Sequence, residues 1–206
     1  MRKVLIVLAL LAVCSAAHAG LPVVIWADGF ESGTLANWTF NNPSGDATAT
    51  SAAVPSYTSM EGTIVPCELL WMAQISKDND GLAYLISVPI PTVVGQLYEI
   101  DVCVGGLGAW DNCGFRWNKW GYVNGGAMTW VGDNFRDVNP LQCGISWHFT
   151  ATGDSANVLL GLDRACRGGL GHSAFFDHVV VSTVPEPASL LALAGGLIGL
   201  VIRRRK

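Results

Sequence analysis

Five aromatic residues, Trp110, Trp117, Trp120, Tyr122 and Trp130, crowd into one short stretch of the chain. Rings of this kind stack on the C–H faces of sugars, while neighbouring amides and guanidinium groups hold the hydroxyls. If residues 114–123 run extended, side-chain alternation puts Phe115 and Trp117 on one face. Arg116, Asn118, Trp120 and Tyr122 then share the other. The second set mixes rings with polar donors and predicts a glycan platform; the first reads as core.

Cysteine supplies the second chemistry. Cys14 lies in an N-terminal apolar leader, so five remain in the body of the chain: Cys67, Cys103, Cys113, Cys143 and Cys166. Five cannot all pair within one chain. Cys103 and Cys113 lie symmetrically about Gly108, and Cys143 and Cys166 about the turn at Gly153-Asp154-Ser155. If each turn joins antiparallel neighbours, the expected bridges are Cys103–Cys113 and Cys143–Cys166, each stabilising by ~2–4 kcal/mol. Cys67 is left over. No Cys-x-x-Cys or Cys/His spacing of the zinc-binding kind occurs.

Catalytic patterns are weak. His148, His172 and His178 stand singly, and there is no Gly-x-Ser-x-Gly elbow. The glycine-rich stretch from Arg167 to His172 precedes a strand pattern and not a helix, which does not suit a phosphate cradle. The expectation is a protein that is not an enzyme.

The elements that must position these residues read as strands. Short apolar or alternating runs at 23–27, 82–88, 97–104, 114–123, 145–150, 157–162 and 174–182 are separated by Gly, Pro, Asn and Asp. Residues 41–60 read as loop and weak strand, and no helix of convincing period appears. This is the pattern of one all-β sandwich, and 20–183 has the length for a single core. That stretch keeps six basic and fifteen acidic residues, a net charge of about −9. Such an acidic domain does not attract nucleic acid or anionic lipid by charge.

The two ends of the chain direct traffic. Arg2 and Lys3 precede an apolar run too short to span a bilayer, and Ala17-His18-Ala19 before Gly20 fits signal peptidase cleavage between Ala19 and Gly20. Residues 11–14 (Leu-Ala-Val-Cys) look like a lipoprotein box, but Val13 stands where a small residue is required. At the other end, Val184-Pro185-Glu186-Pro187 leads into an uncharged apolar stretch over 188–202, and Arg203-Arg204-Arg205-Lys206 closes the chain. The prolines keep the first part extended. The apolar part can satisfy its backbone in lipid only as a helix, and the terminal cations hold its end on the cytoplasmic side. Sixteen residues from Pro187 span about 24 Å as a helix, short of a ~30 Å hydrocarbon core, so the flanking arginines must snorkel.

This tripartite tail resembles the PEP-CTERM sorting signal of Gram-negative bacteria. The resemblance implies recognition of 184–187 by an exosortase, an integral-membrane protease-transferase, and delivery to the cell surface or matrix. The expected organisation is a signal peptide at 1–19, an ectodomain at 20–183 and a sorting signal at 184–206.

Four segments of the ectodomain resemble the galactose-binding-like jelly rolls, a superfamily that includes many carbohydrate-binding modules. They are Asp28-Gly29-Phe30-Glu31-Ser32-Gly33 with Trp38, Gly95-Gln96-Leu97-Tyr98, the stretch from Trp147 to Ala156, and Phe175-Phe176-Asp177-His178-Val179. The resemblance implies a jelly-roll β-sandwich in which the first and last strands meet. It also implies a structural calcium held by Glu31 and Asp177, with Asp28 or carbonyls completing an oxygen cage. His178 replaces the second Asp usual in the family, which reduces the anionic ligands. Three functions fit: a structural or adhesive surface protein, a module recognising exopolysaccharide, or a secreted hydrolase; the first is expected.

Overall fold

The computed structural model describes residues 21–59, 62–67, 70–108, 116–132, 140–164 and 172–185. The chain divides into two units, Val24–Ser182 and the flanks Met1–Val23 with Thr183–Lys206. In the flanks, Thr183 N donates to the Val23 carbonyl at 2.9 Å and Val23 N to Thr183 Oγ1 at 3.1 Å. Both the N-terminal leader and the C-terminal apolar stretch lie outside the described residues. Among the described residues, no helix is long and apolar enough to cross a membrane.

The described residues of Val24–Ser182 are all β and form a two-sheet sandwich. The first sheet runs β12 (Gln142–Thr150), β9 (Leu97–Gly108), β14 (His172–Thr183), β6 (Met72–Lys77) and β3 (Thr50–Val54), with β1 (Val24–Asp28) also on β14. The second runs β11 (Ala127–Gly132), β10 (Arg116–Asn124), β13 (Ser155–Arg164), β7 (Gly81–Ser87) and β2 (Trp38–Asn41), with β8 (Ile90–Pro91) also on β13. A hairpin of β4 (Tyr57–Ser59) and β5 (Gly62–Ile64) stands apart. All seven expected strands are present. First and last strands meet as the jelly-roll resemblance implies, with Asp28 opposite Val179.

Alternation explains the core. Tyr98, Ile100, Val102 and Val104 of β9, and Ala156, Val158, Leu160 and Leu162 of β13, are buried at every second position. They meet between the sheets in one cluster. A satellite cluster of Ile64, Met72, Cys103, Leu107, Leu141 and Phe175 lies on the outer side of the first sheet, with the Tyr57 ring of the hairpin tilted against Phe175 at 5.1 Å.

The loop before β3 is ordered by one carboxylate. Asp46 accepts from Thr48 N and Oγ1 and from Asn79 N and Nδ2 at 2.7–3.0 Å. Burial pushes this carboxyl up, but the bonds from Asn79 and Thr48 outweigh it and hold Asp46 well below the usual carboxylate range.

Candidate functional site

The expected glycan platform turns inward. Asn118 and Trp120 are buried, and Tyr122 packs against the core. Trp120 lies 6.5 Å from Trp147 of the opposite sheet, and Tyr122 stacks 4.8 Å from Phe149. Asn118 Nδ2 donates to the Gly105 carbonyl at 2.8 Å, tying the two sheets together. Arg116 pairs with Arg164 in the ladder. Asn118, Trp120 and Tyr122 do share one face, but the polar Asn118 marks a satisfied buried amide and that face meets the other sheet, so these three form no solvent platform; the Arg116 side chain lies outside the described residues.

The outward face of the same sheet carries a different pair of rings. Trp130 on β11 stands opposite Gly121 of β10, and Gly161 of β13 stands opposite Tyr84 of β7. A Cβ at Gly161 would sit 3.0 Å from Trp130 Cη2, so the indole lies across this glycine. Tyr84 meets Trp130 edge-on at 5.9 Å, and both rings are half-buried. Lys119 and Asp163, on the same face, form an ion pair at 2.7 Å. Two rings beside an ion pair offer sugar stacking and hydroxyl contacts from one surface. Tyr84 escaped the sequence reading because it lies far from the aromatic stretch. The available signal was glycine inside two strand patterns, which marks close approach.

The expected calcium ligands act first as clamps. Asp28 Oδ1 accepts from Phe30 N at 2.8 Å, and Oδ2 from Asn37 Nδ2 and the Trp38 indole at 3.1 and 3.0 Å. That locks the opening turn, in which Phe30 adopts a φ of 61° and packs 5.6 Å from Trp38. Glu31 accepts from Leu70 N at 3.0 and 3.2 Å. Asp177 accepts from Cys67 N at 2.7 Å and His178 N at 2.8 Å. Glu31 and Asp177 therefore hold the two ends of the segment 67–70, while Asp28 is engaged elsewhere. His178 has a φ of 50°, at the point where β14 leaves β6 and takes up β1. Histidine, like Asp and Asn, tolerates this region better than most residues, which fits its place in the motif.

The cysteines are arranged otherwise than expected. Cys103 and Cys143 lie side by side with Cα atoms 4.0 Å apart, and Cys67 approaches Cys143 with Cα atoms 7.3 Å apart. The pairings Cys103–Cys113 and Cys143–Cys166 assumed hairpins, but β9 and β10 belong to different sheets, as do β12 and β13. β9 lies between β12 and β14, and Cys143 is on β12. Cys113 and Cys166 themselves lie outside the described residues. Cys67, expected to be left over, joins the group.

Carboxylates and imidazoles share this outer face of the first sheet. His148 Nε2 stands 3.6 Å from Glu99 Oε1. Burial, and next the charge of Glu99, push the Asp101 carboxyl up, partly offset by His178 and His148.

Comparison with known proteins bears on both the tail and the fold. Residues 183–206 match the PEP-CTERM protein-sorting motif, which marks an exported protein bound for the bacterial cell envelope or surface. No curated protein matches the chain. Among solved structures, the enzymatically active domain of bacteriophage CBA120 tailspike protein 4 aligns with TM-score 0.52 and 11% identity, over 79% of this chain and 22% of that one. The CBM22-1–GH10 modules of Clostridium thermocellum endo-1,4-β-D-xylanase 10B, complexed with xylohexaose, align with TM-score 0.51 and 13% identity, over 80% and 29%. The CBM22-1 xylan-binding domain of Paenibacillus barcinonensis Xyn10C aligns with TM-score 0.47 and 13% identity, over 80% and 97%. The chain thus spans less than a third of the first and second of these proteins. The chain carries a PEP-CTERM tail and has the β-sandwich fold seen in carbohydrate-binding modules.

Proposed function

We propose that this protein is sorted by an exosortase to the surface or extracellular matrix of a Gram-negative bacterium, where its sandwich domain acts adhesively by contacting exopolysaccharide. Signal peptidase and exosortase are its processing partners, and the domain itself is non-catalytic. The observation that carries the binding role is Trp130 lying across Gly161 with Tyr84 edge-on and the Lys119–Asp163 pair alongside. Sugars stack on half-exposed rings of this kind, and the fold is one that carbohydrate-binding modules use. A glycan array on the secreted domain tests it. Trp130→Ala and Tyr84→Ala should each lose retention on the bound glycan while the domain stays folded. Retention by both variants sinks the site, and no binding to any glycan leaves a purely structural surface role.

The sorting role rests on the tail. Alanine at Glu186 and Pro187 should leave precursor in the inner membrane, and normal export of that variant would end the exosortase reading. Calcium at Glu31 and Asp177 is proposed on the jelly-roll resemblance. Both carboxylates flank one segment, and carbonyls would have to complete the oxygen set. A higher melting temperature in calcium than in chelator supports it, and equal melting removes it.

A further inference from the structure

Cys143 stands where it can serve two partners. Gln142 pairs with Val104 and Ile145 with Val102, so Cys143 and Gly144 together oppose the single residue Cys103. This is a β-bulge, and Gly144 has the positive φ, 77°, that such a bulge accommodates. A bulged residue leaves the regular ladder and its side chain is re-aimed. The Sγ atoms of Cys67, Cys103 and Cys143 all lie within 4.8 Å of one another. Cys103 is buried, whereas Cys67 and Cys143 are exposed. The three cysteines line a surface depression of about 280 Å³ with Asp101, Gly144 and His178.

Valence then decides the chemistry. Each sulfur forms one disulfide, so Cys143 bridges to Cys103 or to Cys67, and among these three described cysteines one is left outside the bridge. The Cα separations of 4.0 and 7.3 Å fall on either side of the usual ~4.4–6.8 Å range. Either bridge therefore asks for a small backbone adjustment, and spacing alone does not choose between them. Cys67 sits in a short loop whose amide is held by Asp177, and its Sγ contacts the Leu141 carbonyl at 3.9 Å.

We propose that Cys67, Cys103 and Cys143 form a thiol–disulfide exchange site, with Cys143 as the shared partner and an external disulfide as the ligand class. In the internal step the Cys67 thiolate attacks Cys143 Sγ of the Cys103–Cys143 bridge. The Cys67–Cys143 bond forms, the Cys103–Cys143 bond breaks, and Cys103 leaves as a thiolate that takes up the proton Cys67 gave up. No oxidant is consumed. In the external step the exposed Cys67 thiolate attacks an outside disulfide, forming a mixed disulfide and releasing one thiol. An oxidising exterior sustains such bonds. This gives the domain a covalent attachment point, and the inference is independent of glycan binding.

The test is disulfide mapping of the full chain, expressed into an oxidising periplasm, trapped with iodoacetamide and digested without reduction. Peptides bridging Cys103–Cys143 and Cys67–Cys143 should both be recovered from one preparation, with alkylation shared between Cys67 and Cys103 and absent from Cys143. Cys67→Ser should collapse the map to Cys103–Cys143, and Cys103→Ser to Cys67–Cys143. Oxidised glutathione should add one glutathione at Cys67 in the wild-type chain and none in Cys67→Ser. A single bridge with the third cysteine tied to Cys113 or Cys166 overturns the proposal. So does a chain in which all three alkylate and one zinc ion is bound.

Discussion

Replacing Trp120 with alanine separates a core residue from a ligand platform by magnitude. The Trp120 side chain is 7% exposed, packs at a tilt against Trp147 across the sandwich, and fits against Gly132, where an added Cβ would fall 2.1 Å from its Cε2. A buried tryptophan removes ~150–250 Å² from water, which at ~25 cal/mol per Å² is about 4–6 kcal/mol. Compactness of the denatured chain lowers that figure, and large-to-small changes of this type cost ~3–5 kcal/mol in practice. With a urea m-value of ~2 kcal/mol/M, the midpoint should fall by about 2 M. Seven tryptophans remain to report unfolding by fluorescence. A midpoint change below ~0.5 M together with lost polysaccharide pull-down would refute the burial argument and restore the platform of Arg116, Asn118, Trp120 and Tyr122.

Other expectations concern carboxylates. Asp46 has its folded pKa depressed, so the stability it contributes is complete above the ordinary value of 3.8 and is lost as pH falls through and below it. Asp46→Ala should therefore be less stable than wild type at pH 6, with the gap narrowing on acidification, and a gap independent of pH would contradict this. Asp101 has its folded pKa raised, so the fold binds that proton more tightly than the unfolded chain, and its carboxylate destabilises the fold as pH rises past 3.8. Asp101→Asn should raise the melting temperature at neutral pH and have little effect near pH 3; the opposite order would show that Asp101 is stabilised as an anion. Asp28→Asn should loosen the opening turn, losing ~1–3 kcal/mol because the carboxylate accepts three bonds there, one of them from the Trp38 indole. Denaturation in urea reads that loss directly, and a change below ~0.5 kcal/mol would show the turn to be held by packing.

Legibility in the sequence followed the strength of alternation. The seven expected strands are runs of β-branched and aromatic residues bounded by turn residues, which is why periodicity found them. β6 escaped because Gln74, Ser76 and Lys77 look like a polar segment. Yet Lys77 is buried and its ammonium donates to the Asp80 and Gly81 carbonyls at the β6–β7 turn. β11 escaped because it is an edge strand, with Met128 and Val131 exposed. Alternation tells which residues share a face and not which face meets the other sheet. Asn118 misled for that reason, since its partner, the Gly105 carbonyl, is in another sheet. The expected cysteine pairing rested on the same step, and Cys103 and Cys143 lie beside each other instead. Symmetry about a turn implies contact only when the flanking strands pair, and here the chain crosses between sheets at both turns.

One irregularity links the indoles of Trp120 and Trp130. β10 and β11 pair Gly121 with Trp130 but Trp120 with Gly132, so Val131 is the extra residue of a bulge. Without it, Trp120 would face Val131, and a branched side chain would compete for the space the indole fills. With it, β11 offers glycine to the inward Trp120 and lays its own Trp130 outward, over Gly121 and toward Gly161. Both glycines are then required by the close passage of backbone or ring: a Cβ at Gly121 would fall 2.1 Å from the Thr129 carbonyl oxygen, and one at Gly161 3.0 Å from Trp130. The same local device therefore buries one ring between the sheets and turns the other to the outer face. The sequence shows both rings in one cluster, and only the register, set by a single inserted valine, assigns them opposite roles.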